Sequence, residues 1–171
     1  MEQQVYLNSN GDPGEENESL KQLVGFMIGE ALFGVDILMV QEIIREAPIT
    51  PIPDSPEFIE GVINLRGNII PIIDLRKRLH LNSLKAATDD IWIIILNIEG
   101  RITGFIVDRV TKVIKVSMDW IKPAPDIVVA GLKSQYLRGV CKIDEQLLVL
   151  LDFNRILMVD EIKKLNELKS A

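Results

Sequence analysis

At 171 residues, 47% of them hydrophobic, the chain has room for one domain or two small ones and hides roughly 68–70% of its unfolded surface on folding, which excludes a disordered polypeptide. The net charge is −6, and nearly all of it comes from Glu2, Asp12, Glu15, Glu16 and Glu18 in a stretch without Lys or Arg. The nearly neutral remainder presents no basic field to a phosphate backbone or an anionic bilayer, so nucleic acid and direct membrane insertion are excluded as partners.

Residues 1–20 are polar and aperiodic, a flexible acidic tail without the basic stretch and apolar run of a secretory signal. The domain proper is expected over 21–171. Short apolar runs bounded by Gly, Pro and Asp predict strands at Gln22–Ile28, Leu32–Ile37, Gly61–Leu65, Ile69–Ile73, Ile91–Ile98, Ile102–Val107, Val113–Val116, Leu137–Ile143 and Leu147–Leu151. Asp36–Ile43 is predicted to form one or two helical turns. Pro48, Pro51, Pro53 and Pro56 make a stiff loop, in which Ser55-Pro56-Glu57 reads as a helix start with Ser as N-cap and Pro at the first helical position. Asn82–Asp90 is a polar hinge. A C-terminal helix is expected over 152–169, with Phe153, Ile156, Leu157, Leu165 and Leu168 at helical spacing and an Asp160/Lys164 pair. No apolar run approaches the ~18–20 residues of a membrane span, and the cytoplasm is the expected compartment.

An internal repeat organises the chain. A shift of 78 lays Phe58–Leu79 on Tyr136–Leu157 without a gap, with Gly61/Gly139, Val62/Val140, Asp74/Asp152 and Leu79/Leu157 identical. Upstream, Gly29…Asp36 echoes Gly100…Asp108 with one extra residue. A period this long is not that of a solenoid. It suits two similar small barrels, each removing its exposed edges by closure. They are placed at about 21–82 and 90–158, with crossing of terminal segments allowed.

Catalytic machinery is not evident. His80 is the only histidine and reads as a surface residue at a helix end; Cys141 is the only cysteine and reads as a small buried hydrophobe. Asp74 and Asp152 resemble a carboxylate pair, but their equivalence in the repeat favours two helix N-caps. No phosphate-binding glycine loop is present, and neither a cofactor nor a metal is expected. The repeat also exposes a difference. The tip Asn64-Leu65-Arg66-Gly67-Asn68 is cationic where its counterpart Lys142-Ile143-Asp144-Glu145-Gln146 is acidic. Arg66 is either held outward as a contact residue on a positive-φ turn or paired with a neighbouring carboxylate.

The segment from Glu60 to Asp74, EGVINLRGNIIPIID, resembles the signature of the CheW family of bacterial chemotaxis coupling proteins. Asp36–Ile43, Ile121–Asp126 and Tyr136–Gly139 are similar to the family in the same order, so the likeness runs from about Gln22 to Leu157. It implies a mainly β fold of two five-stranded SH3-like barrels with short helices. It implies a non-catalytic adaptor between methyl-accepting chemotaxis receptors and the regulatory domain of the histidine kinase CheA, associated with membrane receptor arrays through these partners. It places receptor contact at Val40, Glu42, Arg66 and Gly67. Kinase contact falls at Lys122, Asp126 and Ile127, the last an aliphatic residue where well-known members carry an aromatic. A helical receptor hairpin is expected to lie in a groove supplied by Val40, Ile63 and Leu65, with Glu42 and Arg66 at its rim. A coupling protein of a related non-flagellar pathway and a small-ligand-binding β-barrel are the alternatives.

Overall fold

The computed structural model describes residues 20–81, 91–123 and 136–157. The expected tail (its last residue, Leu20, excepted), the hinge over 82–90 and the C-terminal helix beyond Leu157 lie outside the described residues. Ten strands are present: β1 (Leu20–Ile28), β2 (Ala31–Asp36), β3 (Val40–Ile44), β4 (Ile59–Leu65), β5 (Asn68–Asp74), β6 (Trp92–Ile98), β7 (Arg101–Val107), β8 (Arg109–Ser117), β9 (Leu137–Ile143) and β10 (Gln146–Leu151). Two short helices, α1 (Leu75–Arg78) and α2 (Phe153–Leu157), follow β5 and β10.

The strands form two five-stranded sheets, ordered β3-β6-β7-β5-β4 and β8-β1-β2-β10-β9. The two orders are equivalent under the repeat, down to a single parallel pair in each, β5 with β7 and β10 with β2. Sheet membership crosses the sequence division. β1 and β2, expected in the first barrel, join the second, because Leu32–Gly34 pair with Leu148–Leu150 and Leu20–Met27 with β8. The first barrel is therefore an insertion in the second, entered after Asp36 and left at Asp108.

Alternation along each strand sorts the side chains into three apolar layers. Ile93 and Ile95 of β6, Ile70 and Ile72 of β5, and Ile106 fill the first barrel. Leu148 and Leu150 of β10, Leu23, Met27, Leu32, Ile114 and Cys141 fill the second. The remaining set, including Phe26, Phe33, Ile73, Ile94, Leu96, Phe105, Val149, Leu151 and Phe153, lies between the barrels and is the largest of the three. This explains the unbroken apolar runs of β5 and β10: one face lines a barrel interior and the other is covered by the neighbouring barrel.

Each identity in the repeat has a structural reason. Thr50 closes the first barrel by exchanging two 2.9 Å backbone hydrogen bonds with Val62, and Lys122 closes the second with two of 2.8 Å to Val140. The preceding glycines let these closing segments come near. A Cβ on Gly61 (φ 145°) would run into the Thr50 carbonyl, and one on Gly139 would lie 2.6 Å from the Ile121 side chain. Asp74 caps α1 by accepting from the Arg76 amide, and Asp152 accepts from that of Arg155. Leu79 and Leu157 both end in the inter-barrel layer.

Two helical expectations are corrected. Over Asp36–Ile43 only Ile37–Met39 is helical, a single 3-10 turn capped by the Asp36 carboxylate, before the chain extends into β3 to pair with β6. The signal Ser55-Pro56-Glu57 starts no helix. Ser55 Oγ donates to the Ile52 carbonyl instead, and β4 begins at Ile59, too soon for a helical turn to propagate.

Ile72→Asp and Leu150→Asp each bury an unpaired charge in a different barrel and are expected to cost several kcal/mol, seen as insoluble or non-cooperatively melting protein. In denaturant titrations Gly61→Ala is expected to lose about 3 kcal/mol from strain and collision, whereas Gly67→Ala, whose added methyl meets nothing within 4 Å, loses about 1 kcal/mol.

Candidate functional site

The β4–β5 hairpin turns through Arg66 (φ 52°) and Gly67 (φ 88°), the two positive-φ positions of a two-residue turn that matches strand twist. The Asn64 side chain accepts from the Gly67 amide at 2.8 Å and fixes the tip. From this tip the Arg66 guanidinium reaches β3 and donates to both Glu42 carboxylate oxygens, at 2.8 and 2.9 Å. Of the two sequence readings of Arg66, the carboxylate pairing is the one observed, and the partner comes from 24 residues away. The hydrogen bond from Arg66 holds the Glu42 carboxyl below its ordinary range. Reciprocally, the bond from Glu42 raises the guanidinium.

Behind this bridge lies a cleft of about 410 Å³. Its floor is aliphatic, formed by Leu65, Ile69, Ile70, Ile95 and Ile102, and Gln41, Glu42, Arg66 and Asn68 stand at its rim. Ile69 is 52% exposed, next to Asn68 at the open start of a strand that is buried from Ile70 onward. Glu42 reaches the rim because the β3–β6 register slips between Val40 and Glu42, with Gln41 as the extra residue.

The structure brings Glu42, Arg66 and Gly67 together at one edge of the first barrel. Val40 is not part of the cleft; it packs on the inter-barrel layer. Ile63 is buried in the first-barrel core, so of the three residues expected to form the groove only Leu65 lines it. Sequence reasoning missed Ile69 and Ile102 as floor residues. The available signal was their position, directly after two hairpin tips where alternation reaches the sheet end.

Lys122 is exposed, and its backbone closes the second barrel. Asp126 and Ile127 lie outside the described residues. The adjoining surface carries two further exposed apolar residues, Leu38 (88%) and Met118 (46%), each on a 3-10 turn. They flank a small hollow of about 60 Å³ lined by Lys21, Asp36, Met39, Met118, Ile121 and Arg138.

The other candidate groups have structural roles. Cys141 is buried, and burial pushes its thiol up to about 11. His80 is exposed at φ 57°, and the bonds His80 N–H to Lys77 O and Leu81 N–H to Arg76 O make it the left-handed residue that terminates α1. Asp74 is held by Arg76 at 2.9 Å. Among the described residues no group of His, Cys, Asp and Glu has the arrangement of a metal site, and no helix is long and apolar enough to cross a membrane.

Residues 22–161 match a family model described as the CheW-like domain. Chemotaxis protein CheW of Treponema pallidum is 38% identical over 159 residues, covering 91% of this chain and 93% of that protein. Chemotaxis protein CheW of Klebsiella aerogenes is 38% identical over 137 residues, covering 80% and 81% respectively. Among solved structures, the scaffolding protein TtCheW from Thermoanaerobacter tengcongensis is similar at a TM-score of 0.75 and 38% identity, over 82% of this chain and 94% of that one.

The Arg66–Glu42 bridge predicts a titration. The Glu42 carboxylate followed by NMR is expected to protonate below the usual glutamate value of about 4.3 and to return to it in Arg66→Met. A depressed carboxyl keeps its stabilising interaction above the unfolded value and loses it as pH falls through the folded one, so the bridge opens only in acid.

Proposed function

The chain belongs to the CheW-like domain family and is a chemotaxis scaffold; from that premise we propose that it couples methyl-accepting chemoreceptors to the histidine kinase CheA without catalysing a reaction itself. The observation that carries the receptor half is the cleft of the first barrel. An aliphatic floor that exposes Ile69 next to an ion-paired tip suits a helical hairpin that lays an apolar stripe across strand ends. Receptor contact is assigned to Glu42, Arg66 and Gly67, with Val40, at the start of β3, anchoring the strand that carries Glu42. Kinase contact is assigned to Lys122, Asp126 and Ile127, of which Lys122 closes the second barrel. Through both partners the protein sits in membrane receptor arrays at the cytoplasmic face.

An adaptor of this kind works by holding two faces at a constant spacing. The apolar layer between the barrels supports that reading, because it joins the elements behind each proposed face into one packed unit. Arg66 has a double part: it lies at the rim of the cleft, and it ties the β4–β5 tip to β3.

Arg66→Asp therefore places two carboxylates opposite each other and frees the tip. The expected result is an unchanged melting temperature, since the pair is exposed at the surface, unchanged affinity for the kinase, and affinity for a receptor tip fragment reduced at least tenfold. A simultaneous drop in all three makes Arg66 structural and removes the assignment; no change in any of them puts the receptor face elsewhere.

A further inference from the structure

The Arg66 guanidinium is already engaged at both terminal nitrogens by Glu42, so the ion pair presents little net charge to a partner. The uncommitted charge at this end of the barrel belongs to Glu99. The β6–β7 hairpin turns through Glu99 (φ 51°) and Gly100 (φ 88°) with the Asn97 side chain accepting from the Gly100 amide at 2.7 Å, the same device as at Asn64 and Gly67. β5 and β7 are parallel neighbours in which Ile72 pairs with Gly104. Beyond the pairs from Ile72 to Asp74 the two hairpins flank the same cleft, Asn68, Ile69 and Ile70 lining it from one and Gly100 and Ile102 from the other. Glu99 adjoins the cleft through Gly100, the next residue of its turn.

Glu99 is exposed, and among the described residues no hydrogen bond or ion pair engages its carboxylate. Arg101, its nearest basic neighbour in sequence, belongs to the other face of β7 with Thr103 and Phe105, and its Nε donates to the Ile98 carbonyl. The exposed aliphatic contact of the cleft, Ile69, accordingly has a carboxylate without a charge partner on the hairpin across from it, next to the lining residue Gly100.

We propose that Glu99 is a specificity-determining residue of the cleft, and that it selects receptor hairpins carrying a lysine or arginine one helical turn from the aliphatic side chain seated on Ile69. This rests on the receptor reading of the cleft. Residues three or four apart share one helix face at about 5–6 Å, so a helix seated on Ile69 can turn a basic residue of the same face toward the neighbouring Glu99 turn. A rim charge of this kind acts chiefly on partner choice and on the rate of encounter.

The test uses the full chain and a purified soluble fragment of a chemoreceptor hairpin tip. Glu99→Gln is expected to weaken binding several-fold and Glu99→Lys about tenfold, with the salt dependence of binding reduced and melting temperatures unchanged. One basic residue of the fragment, replaced by Glu, regains affinity against Glu99→Lys. If Glu99→Lys binds within about twofold of the unaltered protein while Ile69→Ser loses binding, the role of Glu99 is overturned and the receptor reading stands. If Ile69→Ser and Arg66→Asp also bind normally, the cleft is not the receptor site and both ideas fail.

Discussion

The packing of the two barrels against each other through one apolar layer is the constraint on which the rest depends. Phe26 and Phe33 stack at 5.6 Å from the second barrel, and Phe105 meets Phe153 edge-on at 5.0 Å across the boundary. Because these side chains belong to the same strands that line the barrel interiors, neither barrel can repack without disturbing the other. Strands covered on both faces have no slack in register, since a slip of one residue exchanges the two layers. The position of every hairpin tip, including those that frame the cleft, follows from that lock.

Polar groups reinforce the boundary at its few permissible points. Arg78, only 6% exposed, lies between the rings of Phe58 and Tyr136, donates to the Tyr136 hydroxyl at 2.8 Å and donates to the Ile156 carbonyl. Phe58 and Tyr136 are repeat equivalents, and so are Arg78 and Ile156, so this guanidinium sits where the internal two-fold relation brings the halves together. Nearby, Arg76 bridges Asp74 and Asp108, while Asp108 accepts from the Gly29 amide at 2.7 Å. Asp108 is the residue at which the chain passes from one barrel to the other. Buried charges are tolerated there because Asp74, Arg76 and Asp108 meet opposite charges and Arg78 donates to a hydroxyl and a carbonyl between two ring faces.

Much of this was legible in the sequence. The nine strand runs, the repeat, the paired N-caps and the buried cysteine were each carried by local chemistry: alternation, aligned glycines, an Asp before a helical turn. β3 was not, because Val40–Ile44 follows a capped Asp36 and reads equally well as helix until its pairing with β6 is known. The false helix start at Ser55 failed for the same reason, its fate being set by the nearness of β4 rather than by its own residues. At the site, Arg66 and Gly67 stood out as a tip unlike its repeat partner. The identity of the Arg66 partner did not, since Glu42 lies on a strand brought back by barrel curvature. Ile69 and Ile102 were hidden by a different effect: an isoleucine at the open start of a strand looks the same in sequence as a buried one further along it, such as Ile70 or Ile106.

The insertion of one barrel in the other has a consequence for biosynthesis. A ribosome delivers β1 and β2 before the rest of the sheet, yet their partners β8 and β10 emerge only after the whole first barrel. The barrel between them is contiguous from β3 to β7 and can form as soon as it is released. The opening hairpin, apolar on both faces, must meanwhile wait with its edges unpaired, which is the state in which strands associate with the wrong chain. Vectorial folding thus runs from the inside of this sequence outward. The β1 edge waits roughly 80 residues of translation for β8 and the β2 edge roughly 110 for β10, several seconds to some twenty seconds at ordinary elongation rates.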